Sequence, residues 1–191
     1  MPMTEFTTLE TTRLRLRRFT DADLALFMAY RNDPEVARYQ SWEGITASEA
    51  RAFFQEQQKV QPGMPDQWFQ IAIELKETGT LVGDCALKVE EYDERQAEIG
   101  YTLARAYQGL GVASEAVSRV LDYAFLTLGL HRVIAITDCE NRASITLLER
   151  LGLRREGHFL QNVWFKGKWA DEYLYAMLQE EWRSIRSTGL E

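Results

Sequence analysis

The sequence predicts one domain of mixed α/β type, built on a sheet that holds both antiparallel and parallel strands. Three observations predict it. Strand-like runs crowd together at Trp68–Leu75, Leu81–Val89 and Ala97–Leu103, as in an antiparallel meander. The pattern then switches to helix, strand and helix between Gly111 and Leu151. Two last strand candidates, Gly157–Phe165 and Glu172–Met177, flank the turn Lys166-Gly167-Lys168 as a closing hairpin. Because a meander precedes the alternation, the sheet is not a doubly wound one.

Taken in order, Arg13-Leu14-Arg15-Leu16-Arg17-Arg18-Phe19 alternates polar and apolar, as a half-buried strand does. Thr20-Asp21-Ala22-Asp23 opens a helix whose apolar positions are Leu24, Phe27 and Met28. Thr46-Ala47-Ser48-Glu49 is a capping box for a second helix carrying Ala50, Phe53 and Phe54. Lys76-Glu77-Thr78-Gly79-Thr80 turns the first meander strand into the second. From Gly111 to Leu128, residues Ala113, Val117, Val120, Leu121, Ala124, Phe125 and Leu128 recur at steps of three and four, which predicts an amphipathic helix stopped by Gly129. Val133-Ile134-Ala135-Ile136 reads as a buried parallel strand. A helix over Asn141–Leu151 follows, with Gly152 past its end.

The 191 residues suit one compact domain over 1–191, with its core at about 10–180. Hydrophobic residues make up 46% and charged residues 27%, which excludes a disordered chain. No apolar run reaches the ~18 residues of a membrane span, and Met1–Phe6 lacks the regions of a signal peptide, so a cytoplasmic protein without membrane partners is expected. The net charge of −7 argues against nucleic-acid binding through phosphate neutralisation. Cys85 and Cys139 have no CxxC spacing and only two histidines accompany them, so no metal site is expected and both thiols read as reduced core residues.

Gln108-Gly109-Leu110-Gly111-Val112-Ala113, followed by Ser114, sits where a strand ends and the long helix begins. Gly109 and Gly111 let a ligand approach the backbone, and the first helical amides are unpartnered and carry partial positive charge. Such a turn suits phosphate oxygens. No Lys follows Gly111, which excludes a Walker loop, and Ser114 stands where a dinucleotide fingerprint wants a third Gly or Ala. A plain glycine turn entering a helix remains open on the loop alone.

Gln108-x-x-Gly111-x-Ala113 resembles the coenzyme A motif of the GNAT superfamily of N-acetyltransferases. Asn141-x-x-Ser144-x-x-Leu147-x-x-Arg150-x-Gly152-Leu153 is similar to that superfamily's second motif. Glu98-Ile99-Gly100-Tyr101 and Thr12–Arg17 resemble the branch that contains the ribosomal-protein N-terminal acetyltransferases. The resemblance runs over nearly the whole chain and implies a GNAT-like domain. Its sheet would be splayed between the strand ending at Leu103 and the strand at Val133–Thr137. Acetyl-CoA would lie in the gap, its pantetheine bonded along the backbone near Leu103 and its pyrophosphate on Gln108 to Ser114. The motif's Asn, here Asn141, would contact the coenzyme as well as capping its helix.

Many members of the family carry a Tyr seven residues after that Asn, whose phenol protonates the departing thiolate. This chain has Leu148. Ser144, one helical turn earlier on the same face, is the candidate hydroxyl acid. Alternation along Glu98–Leu103 puts Glu98, Gly100 and Thr102 on one face, and Gly100 leaves space beside the carboxylate. Glu98 is therefore the candidate base that deprotonates the amine, directly or through water. Without a legible Cys–His pair, direct transfer is expected rather than an acyl-enzyme. Aromatics from the first helices (Tyr30, Tyr39, Trp42) and the last hairpin (Trp164, Phe165, Trp169, Tyr173) are available to wall the acceptor pocket.

The acceptor is expected to be a primary amine, either a peptide N-terminus or a small molecule. The alternative is a non-catalytic acyl-CoA-binding module, which the absence of Tyr at Leu148 leaves open. The chain is expected to be a monomer or a homodimer.

Overall fold

The structure is a computed structural model that describes residues 6–188. Among these residues eight strands form one sheet in the order β1-β2-β3-β4-β5-β6-β8-β7. These are β1 (Leu9–Glu10), β2 (Leu14–Arg17), β3 (Trp68–Leu75), β4 (Thr80–Val89), β5 (Gln96–Leu103), β6 (Arg132–Asp138), β7 (Arg154–Phe165) and β8 (Lys168–Leu178). Neighbours pair antiparallel throughout, except that β5 and β6 run parallel. The meander, the helix-strand-helix unit and the closing hairpin all stand as the sequence predicts.

The helices divide between the two faces. On one, α4 (Val112–Asp122) and α5 (Arg142–Arg150) pack their apolar stripes on Ile71, Ile73, Cys85, Leu87, Ile99 and Val133. On the other, α1 (Leu24–Arg31) and α3 (Ala47–Lys59) stack Phe27 and Phe54 with Phe19 over Ala72 and Leu81. Alternation along β3 sends Ile71 and Ile73 one way and Ala72 the other, so one strand serves both cores.

Three features depart from the sequence reading. The long helix is α-helical only to Asp122; Tyr123–Thr127 forms a wider π turn, closed by Leu128 N–H to the Tyr123 carbonyl at 2.9 Å. A four-residue α2 (Pro34–Ala37) lies between the first two long helices, with Pro34 in its first turn. After β8, α6 (Gln179–Ser187) packs on the sheet, where the sequence suggested no element. Only Trp182 and Ile185 give it an apolar face. Trp182 is fully buried, and its indole N–H and the Arg186 guanidinium both donate to Asp122, at 3.0 and 2.5 Å.

The parallel contact positions the site. β5 and β6 pair only where Gln96–Glu98 face Arg132–Ile134. Beyond these residues they diverge, and β5 continues to Leu103 with its far side open. The splayed sheet therefore lies between the two strands that the resemblance implies.

Candidate active site

The open edge of β5 leads through a short 3-10 turn (Arg105–Tyr107) to Gln108, and then to the start of α4. Gly109 and Gly111 adopt φ of 74° and 76°, a left-handed conformation that costs a residue with a Cβ roughly 1–2 kcal/mol. Gly111 is the N-cap of α4 and makes no side-chain cap bond. Its first-turn amides therefore face the cleft without a capping side chain. This is the arrangement that suits an anionic oxygen.

A cleft of about 670 Å³ runs between the open edge of β5 and the N-termini of α4 and α5. Thr102, Leu103, Gln108, Gly109, Gly111, Ala113, Ser114, Asn141 and Ser144 all contribute to its wall. Leu110 is exposed at the crest of the loop and Val112 is buried beneath it, and neither is among the residues that line the cleft. The Gln108 side-chain amide donates to the Leu103 carbonyl at 3.0 Å. A strand-like ligand along β5 would displace that bond or use the oxygen's second lone pair.

Sequence reasoning missed the charge of this cleft. Arg38, Arg105, Arg142 and Arg150 line it, and none forms an ion pair with a described residue. The chain is acidic overall, yet this cleft is basic. Successive ones lie 67, 37 and 8 residues apart in sequence, on three different segments, so no linear motif announces them.

A second cavity, of about 150 Å³, adjoins the first where the sheet splays. Ile99, Gly100, Ile136, Thr137, Asp138 and Glu172 line it together with Val163 and Phe165 of the last hairpin. Tyr39, Gln40, Tyr101, Asn141 and Ser144 belong to the walls of both cavities and mark the junction. Of the aromatics considered for an acceptor wall, Tyr39 and Phe165 are in it. Tyr30 is buried with its phenol on Asp84, Trp42 stacks with Arg31 at 4.4 Å, and Trp164 and Trp169 pack edge-to-face on the exposed hairpin.

Asn141 caps α5, its side-chain oxygen accepting from the Ser144 N–H at 3.2 Å. The Ser144 hydroxyl lies 2.7 Å from the Tyr101 phenol. Burial pushes the Tyr101 phenol above the usual range, and the bond to Ser144 partly offsets this. Leu148 is fully buried in the core, so no hydroxyl stands at the family's usual acid position.

Glu98 lies at the closed end of the wedge, opposite Ile134 on β6 and Lys88 on β4. Its carboxylate is 3.4 Å from the Lys88 ammonium, and it is not itself among the residues lining either cavity. Burial raises its pKa, the Lys88 charge opposes that rise, and nearby Glu90 and Glu172 add to it. Of the two thiols, Cys85 is deeply buried and burial holds it protonated. Cys139 follows β6 and is only half-buried, so it is not the core residue that the sequence predicts.

Among known proteins, the acetyltransferase (GNAT) domain family matches residues 13–154. An N-acetyltransferase of Bacillus licheniformis designated p20 is 35% identical over 92% of this chain and 98% of its own. The [ribosomal protein uS5]-alanine N-acetyltransferase of Escherichia coli is 32% identical over 44% of this chain and 43% of its own. The spermidine N-acetyltransferase of Vibrio cholerae, solved with CoA and spermine, superposes with a TM-score of 0.78 over 91% of this chain and 99% of its own, at 24% identity. Motif order, splayed sheet and helix-capped cleft agree with these likenesses, and the chain belongs to the GNAT family of N-acetyltransferases.

Proposed function

We propose that this enzyme uses acetyl-CoA as its acyl donor and transfers the acetyl group directly to a primary amine. The observation that carries the donor assignment is the cleft between β5 and α4. It joins unpartnered helix-start amides at Gly111–Ser114 to four arginines that have no ion-pair partner among the described residues of an acidic chain. A polyphosphate ligand supplies the charge that such a surface lacks. The free edge of β5 suits an extended amide-bearing arm, whose groups would replace the missing strand partner. Asn141 and Ser144 would meet the acyl end of that arm.

The adjoining cavity is the proposed acceptor pocket. Asp138 and Glu172 give it negative charge, which suits a cationic amine. An α-amine starts near pKa ~8 and a lysine-type amine near ~10.4, so an N-terminal amine needs less help in losing its proton. Glu98 is the proposed proton acceptor. It reaches the amine through water, because it sits one register step below the cavity, and its raised pKa makes it a stronger base than an exposed carboxylate. Amide groups of the open strand would polarise the thioester oxygen. The buried, protonated Cys85 is unsuited to nucleophilic attack, in keeping with direct transfer.

A turnover screen tests this reading. Acetyl-CoA is offered with N-terminal peptides, polyamines and amino acids, and products are read by mass. The expected result is a mass gain of one acetyl group on an amine class, with matching release of free thiol. CoA binding without transfer to any amine would instead mark a binding module, the alternative that Leu148 leaves open.

A further inference from the structure

We propose that Tyr101 and Ser144 form a two-hydroxyl proton relay that carries the amine's second proton from the acceptor cavity to the sulfur of the departing coenzyme. The proposal rests on the acetyl-CoA reading above and deepens it. Three observations support it. The two oxygens are 2.7 Å apart, either can donate to the other, and both residues belong to the walls of both cavities. The residues flanking Ser144 on α5, Arg142, Ala143, Thr146 and Leu147, face the coenzyme cleft. Those just before Tyr101 on β5, Ile99 and Gly100, face the acceptor cavity. The residues after Tyr101, Thr102 and Leu103, line the coenzyme cleft, so the pair sits at the junction of the two cavities; the relay assigns its serine end to the donor and its tyrosine end to the acceptor. Leu148 leaves the usual acid position without a proton to give.

The step balances without an external acid. One proton leaves the ammonium before attack, to Glu98 and then to solvent. Attack forms the C–N bond and leaves a second excess proton on nitrogen. As the C–S bond breaks, that proton passes to the Tyr101 oxygen, the Tyr101 proton passes to the Ser144 oxygen, and the Ser144 proton passes to sulfur. Amide, free thiol and one released proton result. Both hydroxyls end as they began. A phenol raised by burial is a poor stoichiometric acid toward a thiolate, but a relay needs it only to exchange one proton for another.

The test uses Tyr101→Phe, Ser144→Ala and the double variant beside the parent. Amine-dependent thiol release by the parent establishes the acetyl-CoA reading independently; its absence would sink that reading before the relay is at issue. The first relay readout needs no turnover: the thiol pKa of bound CoA, followed by thiolate absorbance. The relay predicts a value below that of free CoA in the parent, returned toward the free value in each single variant. The second is kinetic. Both single variants and the double should lose a similar factor in kcat, roughly 10²-fold, with a much smaller change in KM for acetyl-CoA. The parent's solvent-isotope inventory should be curved, as for more than one proton in flight. Tyr101→Phe with parental kcat and parental bound-thiol pKa would overturn the relay, as would losses that simply multiply in the double variant.

Discussion

The Glu115 carboxylate, on the first turn of α4, grips Arg13 immediately before β2. Its two oxygens accept the Arg13 backbone N–H at 2.9 Å and the guanidinium Nε at 2.6 Å. The same guanidinium donates to the Leu110 carbonyl at 3.1 Å. The loop before α4 is thereby fixed to a strand 97 residues away in sequence, and its amides are held in place before any ligand arrives. Burial alone would raise the Glu115 pKa, but Thr11 and Arg13 outweigh it and keep the carboxyl ionised.

That anchoring makes Gly111 sensitive. A Cβ there would stand 3.4 Å from the Arg13 Nη2, on a backbone with φ of 76°. Gly111→Val should raise KM for acetyl-CoA about tenfold or more with a smaller change in kcat, as expected when binding common to ground and transition states is lost. Isothermal titration with CoA checks this; unchanged affinity would remove the loop from the donor site.

The cleft arginines should make donor binding salt-dependent. Replacing Arg105 and Arg142 together by Ala should weaken CoA binding by roughly tenfold at low ionic strength and flatten its dependence on salt, because screening acts on charges that the variant no longer has. Titrations at two salt concentrations decide it. A slope identical to the parent's would mean that these side chains do not meet the phosphates.

Glu98→Gln should lower kcat by roughly 10²-fold, with the loss greatest between the pKa values of Glu98 and the amine, where the carboxylate is ionised and the amine still needs deprotonation. Burial raises the carboxyl's pKa, so the parent's rate should climb with pH as Glu98 ionises, at a point above the usual carboxylate range. The variant should lack that limb and approach the parent where the amine is already neutral. A pH profile matching the parent's would assign the base elsewhere.

Acid stability follows from carboxylates whose pKa is lowered on folding. Burial would raise the Asp23 carboxyl, but Arg17 and Thr20 outweigh it; Arg132 and Arg154 bring Glu156 down to about 2. Each binds protons less tightly folded than unfolded. Their contribution is therefore complete above the unfolded values of ~3.9 and ~4.3, and is lost as pH falls through the folded ones. Stability should drop between pH of about 5 and 2, and Asp23→Asn should flatten that decline. Denaturant titrations across the range provide the check.

Much of the fold was legible because its signals are local. The capping box at Thr46–Glu49 and the stripe on α4 each announce an element within a few residues, and both are present. α6 escaped because its helical face has only Trp182 and Ile185, and its other support is the distant Asp122. The π turn at Tyr123–Thr127 preserves the apolar periodicity of the helix before it, so hydrophobic spacing does not distinguish the two. In the site, the glycine loop and Asn141 were readable as motifs. The four arginines and the Tyr101–Ser144 bond were not, because folding alone brings those residues together. The Glu-Ile-Gly-Tyr run did contain Tyr101, but strand alternation drew notice to the opposite face, where Glu98 and Gly100 lie.

The central claim is that the acetyl group passes directly from CoA to an amine. It is tested most directly by incubating the enzyme with acetyl-CoA, with and without an acceptor, while thiol release and the intact protein mass are followed together. Direct transfer predicts no thiol and no change in protein mass without amine, then one thiol released for each amine acetylated. Acetylated protein formed in the absence of amine, or tight CoA binding with no thiol released by any amine, would contradict it.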